Sequence, residues 1–261
     1  MSDGCRRREA GRKLGFLASG PISGRPLAVI HGWAADSSFT SCIPALFPDR
    51  RVYLLDLPGY GRSASLADAA PDFDLTVDLL CASLPEGCDL MCWSLSTLLG
   101  IALCARGMFK GRLITVCGSP RFPNSPGNPG LGERYCRKLL ESFTPKAAPH
   151  LIAIFYAAQR HGLGGDRIAR CLESFKLPPY SVLKAGVDFM SGLDEREDFM
   201  RMENPALHVF GGLDLLVPRE QAEIMGRRRQ SECLILEHSA HMPFITEPEA
   251  FAKAVDPFLT H

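Results

Sequence analysis

The stretch Asp89-Leu-Met-Cys-Trp-Ser94-Leu-Ser-Thr-Leu-Leu-Gly100 decides the fold of this chain. Leu90 to Trp93 form an apolar run typical of a buried strand, and the residues after Ser94 have the apolar pattern of a buried helix. A serine at such a junction predicts a sharp strand-to-helix turn that lifts its hydroxyl out of the sheet. Ser94 is therefore a candidate nucleophile, although the same position is also that of an ordinary helix N-cap.

The usual signature of this nucleophile elbow is Gly-x-Ser-x-Gly, and here both glycines are replaced. Cys92 and Ser96 occupy their positions. The turn packs these two positions against neighbouring strands, so they require small side chains, and cysteine and serine are small enough to be plausible. The replacements leave the geometry of the elbow open.

Short apolar runs alternate along the chain with longer segments of helical pattern. This rhythm predicts a parallel β-sheet covered by helices on both faces, that is, a doubly wound α/β fold. The predicted strands are Leu27 to Ile30, Val52 to Leu55, Leu90 to Trp93, Leu113 to Cys117, Leu207 to Phe210 and Leu234 to Leu236. The predicted helices are Asp74 to Leu84, Leu95 to Arg106, Arg219 to Arg227 and Glu247 to Leu259.

The alternation of strand and helix patterns is absent from residues 121–186. We interpret this segment as an inserted helical cap on a core formed by residues 1–120 and 187–261. Helical patterns are present at Tyr135 to Phe143 and at Leu151 to Gln159. The insertion carries ten basic and four acidic side chains, a net charge of +6, whereas the whole chain is neutral.

Two further groups follow predicted strands, where open α/β sheets build their sites. Asp214 follows the strand that ends at Phe210, and His241 comes shortly after the strand that ends at Leu236. An Asx turn is the ordinary alternative for Asp214. His238 competes with His241, and we favour His241, which begins a His-Met-Pro-Phe stretch before the last helix.

Ser94, Asp214 and His241 together could perform nucleophilic catalysis. A neutral serine is a poor nucleophile, an imidazole can accept its proton near pH 7, and a carboxylate fixes the imidazole tautomer. Backbone N–H groups usually stabilise the oxyanion that forms. The N–H of Leu95 follows the nucleophile, and that of Trp33 lies after an early strand, although the Trp33 indole could simply pack in the core.

Several motifs over nearly the whole chain resemble the pimeloyl-ACP methyl ester esterase family of biotin synthesis, which belongs to the α/β-hydrolases. The motifs are His31-Gly-Trp33, Leu55-Asp-Leu-Pro-Gly-Tyr-Gly-Arg-Ser63, Trp93-Ser-Leu95, Gly118-Ser-Pro-Arg-Phe122, Gly212-Leu-Asp-Leu-Leu-Val-Pro218 and Ser239-Ala-His-Met-Pro-Phe-Ile245. The order Ser, Asp, His is also that of α/β-hydrolases. Cys92 and Ser96 depart from the family, which has glycines there.

The resemblance implies an α/β-hydrolase fold and a serine carboxylesterase that hydrolyses the methyl ester of pimeloyl-acyl carrier protein, without metal or cofactor. It implies Ser94 as nucleophile, Asp214 and His241 as its partners, and Trp33 and Leu95 as oxyanion donors. A general short-chain carboxylesterase and a catalytically silent binding module are the alternatives.

The charge of the cap agrees with an acidic carrier protein as partner, because a basic surface attracts it over long range. Helical spacing would place the basic side chains on shared helix faces, although a solvated face has the same pattern. The candidate docking residues are Arg134, Arg137, Lys138, Arg167 and Arg170. Phe155, in an apolar stretch of the cap, could line an acyl channel, and Arg121 could meet a carboxylate or phosphate.

Composition limits the remaining possibilities. The chain has 261 residues, with 29 Lys and Arg against 29 Asp and Glu, which gives no electrostatic case for nucleic acid binding. The ten cysteines form no Cys-x-x-Cys pair, so we expect reduced thiols. No secretory signal or membrane-spanning run is evident. We expect a cytoplasmic monomer.

Overall fold

A computed structural model describes residues 11–131, 141–158 and 165–260. Within these ranges the chain forms a sheet of seven strands in the order β1-β3-β2-β4-β5-β6-β7. The strands are β1 Phe16–Ser19, β2 Pro26–Ile30, β3 Arg51–Leu55, β4 Asp89–Trp93, β5 Leu113–Val116, β6 Ala206–Gly211 and β7 Ser231–Leu236. All the pairings are parallel except that of β1 with β3.

The α/β fold predicted from the alternating pattern is confirmed. Each of the six predicted strands is present within three residues of its expected bounds. The additional strand, β1, lies at the edge of the sheet and has no fully buried side chain. Its residues Phe16 and Leu17 are apolar but exposed, which sets this edge strand apart from the buried inner strands.

Helices pack on the sheet and account for most of the remaining regular structure. They are α1 Ile43–Leu46, α2 Phe73–Ser83, α3 Ser96–Ala105, α4 Ala148–Ala158, α5 Gly165–Ser174, α6 Tyr180–Gly192, α7 Arg196–Arg201, α8 Gln221–Met225, α9 Pro243–Thr246 and α10 Pro248–Thr260, with a 3₁₀ segment at Gly61–Leu66. The predicted core helices correspond to α2, α3, α8 and α10.

The long segment between β5 and β6 contains helices α4 to α7. Helix α4 matches the pattern predicted for Leu151 to Gln159, whereas most of the one predicted for Tyr135 to Phe143 lies outside the described residues. The expected end of the cap at residue 186 falls inside α6, and helical structure continues to Arg201.

The register of the parallel strands fixes where a site can form. Strands β4, β5 and β6 are buried at every position, so they form the centre of the core. Because β2, β4, β5, β6 and β7 run in one direction, the loops after their last residues meet at one edge of the sheet. The serine, the aspartate and the favoured histidine lie in or beside these loops.

The described residues bear on two features considered from composition, namely the state of the cysteines and the presence of membrane-spanning helices. The eight cysteines there are free thiols, as expected for reduced side chains. None of the helices in these ranges combines the length and the apolarity needed to cross a bilayer.

Candidate active site

Ser94 lies between β4 and α3 in the conformation of a nucleophile elbow. Its φ of +58° is in the left-handed region, which a residue with a side chain rarely adopts. Its N–H donates to the carbonyl of Val116 on β5 at 2.8 Å, and its own carbonyl accepts from Thr97 at 2.9 Å. These bonds hold the strained turn between the sheet and the helix.

The elbow accommodates both side chains that replace its glycines. A Cβ on Gly100, in the second turn of α3, would lie 2.8 Å from the sulfur of Cys92, so the absence of a side chain at Gly100 makes room for the thiol. The Ser96 hydroxyl lies 3.1 Å from the carbonyl oxygen of Ile30 and 3.0 Å from that of Trp93. The buried hydroxyl therefore has hydrogen-bond acceptors, and the turn forms without either glycine.

Ser94, His241 and Asp214 form a continuous chain of hydrogen bonds. Nε2 of His241 lies 2.9 Å from Oγ of Ser94, and Nδ1 lies 2.7 Å from Oδ2 of Asp214. The N–H groups of Leu216 and Val217 donate to Oδ1 of Asp214 at 2.8 and 3.2 Å, which fixes the carboxylate. With a proton on Nδ1, Nε2 is free to accept the hydroxyl proton of the serine.

The other histidine considered from sequence lies outside this chain of bonds. His238 is exposed, and its backbone N–H donates to the carboxylate of Glu247 at 3.2 Å. The same carboxylate accepts from Ser239 Oγ at 2.6 Å. Glu247 thus supports the loop that leads to His241.

Trp93 is the residue of the site whose role the sequence did not reveal. Its indole N–H donates to the backbone carbonyl of His241 at 2.8 Å, and the two rings lie 5.9 Å apart. The sequence singled out Trp93 only as part of a family motif. Its position next to Ser94 is the signal that could have suggested contact with the partner of the serine.

The two backbone N–H groups that the sequence predicts as oxyanion donors belong to the loop of Trp33 and to Leu95, the residue after Ser94. A Cβ on Gly32 would lie 3.1 Å from Cβ of Ser94, so the loop that carries Trp33 runs directly beside the serine. Within the described ranges, neither the Trp33 N–H nor the Leu95 N–H donates to a protein acceptor. The Trp33 indole donates instead to the carbonyl of Leu183 on α6 at 2.9 Å, which joins this loop to the long segment between β5 and β6.

His31 fixes the start of the same loop. Burial lowers the pKa of its imidazole, against the opposing effect of the Asp56 carboxylate. The neutral ring lies with Nδ1 2.8 Å from the carbonyl oxygen of Gly32, and its Nε2 accepts from the N–H of Leu57 at 3.0 Å. A protonated ring could not accept the second bond.

Phe155 on helix α4 reaches the site. Its ring lies edge-on to the Trp33 indole at 5.1 Å and 6.4 Å from the imidazole of His241. The neighbouring Tyr156 donates its hydroxyl to the carbonyl of Ala34 in the oxyanion loop. Helix α4 therefore contributes apolar surface directly above the candidate triad.

The basic residues predicted to bind anions lie in different settings. Arg121 donates to Asp194 at 3.1 Å, so its charge is paired within the protein. Arg167 and Arg170 on α5 are exposed and line a cavity of about 270 Å³ together with Ser38 and Ser41 of the core. Arg134, Arg137 and Lys138 lie outside the described residues.

One group of side chains in the described part of the chain has the composition of a metal site. Donor atoms of Cys117, Asp214 and His241 lie within 4.8 Å of one another.

Comparison with known proteins agrees with this geometry. A family model described as the alpha/beta hydrolase family matches residues 27–254, which is most of the chain. The chain belongs to the alpha/beta hydrolase family. It is 33% identical over 250 residues to a pimeloyl-acyl-carrier protein methyl ester esterase of Pectobacterium carotovorum, covering 89% of this chain and 93% of that protein. An Aeromonas hydrophila protein of the same name is 29% identical over 243 residues, covering 90% of this chain and 96% of that protein.

Solved structures of other proteins support the fold. An esterase from Exiguobacterium antarcticum superposes with a TM-score of 0.82 at 19% identity, covering 97% of each chain. A bromoperoxidase from Bacillus anthracis superposes with a TM-score of 0.78 at 19% identity, covering 94% of this chain and 95% of its own. At this level of identity the likeness concerns the fold alone.

Proposed function

We propose that this alpha/beta hydrolase is a serine carboxylesterase that hydrolyses the methyl ester of pimeloyl-acyl carrier protein, releasing pimeloyl-acyl carrier protein and methanol. The observation that carries the proposal is the hydrogen-bonded chain from Ser94 through His241 to Asp214. The names of the relatives supply the substrate.

In the first step, Oγ of Ser94 attacks the ester carbonyl while Nε2 of His241 accepts the hydroxyl proton. Asp214 stabilises the imidazolium and keeps its Nδ1 proton in place. Collapse of the tetrahedral intermediate breaks the bond to methoxide, which takes the proton from His241 and leaves as methanol. The acyl group remains as an ester on Ser94.

In the second step, water attacks the acyl-enzyme with His241 again acting as the base. The second tetrahedral intermediate expels Ser94, which recovers its proton from the imidazolium. The products are a free carboxylate on the acyl chain and the original enzyme. No metal or organic cofactor enters either step of the proposed sequence.

Both tetrahedral intermediates carry a negative oxygen, and we assign its binding to the N–H groups of Trp33 and Leu95. Donors that already point at the site need no reorganisation when charge develops, and the loss of one typically costs about 10² to 10³ in rate. The His31 and Leu183 contacts hold the Trp33 loop, which keeps this preorganisation intact.

The cap supplies the surface that the rest of this substrate requires. Phe155 and Trp33 offer apolar contacts suited to a methylene chain next to His241. Arg167 and Arg170 offer exposed positive charge for an acidic carrier protein. We assign them to docking, whereas the pairing of Arg121 with Asp194 argues for a structural role for Arg121.

The compartment follows from the same proposal. The free thiols agree with a reducing compartment, and we place the reaction in the cytoplasm.

The deciding experiment compares methyl pimeloyl-acyl carrier protein with free methyl pimelate as substrates of the purified chain. We expect methanol release from both and a higher kcat/KM for the carrier-bound ester. Equal kcat/KM values would favour a general carboxylesterase, and no hydrolysis of either ester by folded protein would favour a binding module. Ser94→Ala serves as the control for background hydrolysis.

A further inference from the structure

The carboxyl ends of three adjacent strands bring a thiol to the candidate triad. Cys117 follows β5, just as Asp214 follows β6 and His241 follows β7. Its backbone is left-handed, with a φ of +48°, and its N–H donates to the Val209 carbonyl of β6 at 2.8 Å. The proposed ester hydrolysis gives this buried thiol no task.

The three side chains offer the donors that a soft divalent cation prefers. Zn²⁺ binds thiolate, imidazole nitrogen and carboxylate oxygen, whereas Mg²⁺ and Ca²⁺ prefer oxygen alone. The sulfur of Cys117, a ring nitrogen of His241 and an oxygen of Asp214 lie within 4.8 Å of one another. Zinc bonds are about 2.0 to 2.3 Å long, which places tetrahedral ligand atoms roughly 3.3 to 3.8 Å apart. The distance between Nδ1 of His241 and Oδ2 of Asp214, now 2.7 Å, must lengthen to about 3.3 Å for both atoms to bind one ion.

We propose that Cys117, Asp214 and His241 form an inhibitory binding site for a soft divalent cation of the Zn²⁺ type. The ion takes the place of the proton between Nδ1 of His241 and Asp214, which now lie 2.7 Å apart. The Cys117 thiol releases its proton to solvent and binds as thiolate. The proton displaced from Nδ1 moves to Nε2, so that the ring stays neutral.

Inhibition follows from the change of tautomer. Nε2 faces Oγ of Ser94 at 2.9 Å and must accept the hydroxyl proton for the serine to attack. Once Nε2 carries a proton, it can only donate, and the general base is lost. The cation therefore lowers kcat without occupying the place of the substrate. This inhibition rests on the proposed function, whereas cation binding does not.

Burial sets the rate at which the cation binds. The side chains of His241 and Asp214 are 2% and 0% exposed, and Cys117 is 0% exposed. The ion can bind only after the hydrogen bond between His241 and Asp214 breaks. We expect the inhibition to develop with time after mixing and to be reversed by a chelator at a similarly slow pace.

The test compares wild type with Cys117→Ala and with the control variant Cys233→Ala, which removes a half-buried thiol on β7. Equilibrium dialysis of the full chain should show one more Zn²⁺ bound to wild type and to Cys233→Ala than to Cys117→Ala. With Cd²⁺ as the probe, the ultraviolet band of a cadmium–thiolate bond should be weaker in Cys117→Ala alone.

Activity gives the second readout, measured on a small ester and expressed relative to the metal-free rate of each variant. Loss of one ligand should raise the half-inhibitory Zn²⁺ concentration at least about tenfold for Cys117→Ala, and Mg²⁺ should not inhibit wild type. Cys117→Ser, which keeps the size of the side chain, gives the same comparison if the alanine variant does not fold. Equal Zn²⁺ binding and equal inhibition in wild type and Cys117 variants would overturn the site. Cation binding through Cys117 by a protein that hydrolyses no ester would uphold the site and reject the proposed function.

Discussion

The indole nitrogen of Trp93 and the carbonyl oxygen of His241 are joined by a hydrogen bond of 2.8 Å. The residue before the candidate nucleophile thus holds the main chain of the candidate base. The Trp93 ring is buried and also packs edge-on against Phe244 at 5.5 Å, just after the histidine loop. The turn at Trp93 and Ser94 therefore positions both the Ser94 hydroxyl and the His241 imidazole that accepts its proton.

Replacing Trp93 by phenylalanine should lower kcat by about 10- to 100-fold with little change in KM, because a small misplacement of His241 slows proton transfer more than binding. Steady-state kinetics on a small ester measures both constants. Phe244→Leu is the matched control, since it removes a ring contact and leaves the hydrogen bond. A wild-type kcat for Trp93→Phe would show that the bond does not position the histidine.

Ser94→Ala should remove nearly all esterase activity, by about 10⁴ to 10⁶-fold, while the folded structure remains. Labelling by a serine-directed phosphonate, located by mass spectrometry, should identify Ser94 in wild type and disappear in the variant. Ser96→Ala is the control, because its hydroxyl lies against the Ile30 and Trp93 carbonyls rather than His241. A label on another serine would contradict the assignment.

His241→Ala should abolish turnover, whereas His238→Ala should change it by less than about tenfold, because only the acid–base residue carries the full catalytic loss. The exposed position of His238 makes it a matched control within the same loop. Rates on p-nitrophenyl acetate measure both variants. Loss of activity in His238→Ala alone would reverse the assignment of the two histidines.

Charge reversal at Arg167 and Arg170 should raise KM for the carrier-bound ester and leave turnover of p-nitrophenyl acetate nearly unchanged. The reason is that the two charges act on encounter with the carrier, away from Ser94. Salt should have the same effect, because the Debye length falls from about 30 Å at 0.01 M to about 8 Å at 0.15 M.

Kinetics with both substrates across an ionic-strength series measures this difference. Charge reversal at Arg227, an exposed arginine on the core that pairs with Glu223, is the control. If both substrates respond alike to Arg167 and Arg170, the cap does not dock the carrier by charge.

The stability of the protein should fall between pH 7 and pH 5 through His208. Burial, with a smaller effect of Arg228, lowers the pKa of its imidazole to about 3. The unfolded chain binds a proton near pH 6.5, so stability is complete above that pH and is lost as the pH falls toward the folded value. The loss through this one group reaches about 2 kcal/mol at pH 5. Denaturant unfolding of wild type and His208→Gln at both pH values measures it, and equal losses in the two proteins would exclude His208 as the cause.

The sheet and the candidate triad could be predicted from sequence because their signals are local. A buried parallel strand is an apolar run, and Ser94, Asp214 and His241 each follow such a run. The parallel topology then brings these distant positions to one edge of the sheet.

The remaining contacts depend on packing between segments far apart in sequence, which no local pattern encodes. The pairing of Arg121 with Asp194 links two ends of the segment between β5 and β6. Cys117 meets Asp214 only because β5 and β6 are neighbours in the sheet. Helix α6, which begins directly after Pro179, is not among the helices predicted from the sequence.

Cys92 on the strand faces Gly100 on the helix, so in this elbow the residue that must lack a side chain is on the helix rather than on the strand. In this chain the helix glycine leaves free the volume that the thiol on the strand occupies. A search pattern that fixes glycine on both sides of the serine rejects this chain, although its backbone makes the turn. A search for such elbows should therefore evaluate the side chain on the strand together with the side chain it faces in the second turn of the helix, rather than each position separately.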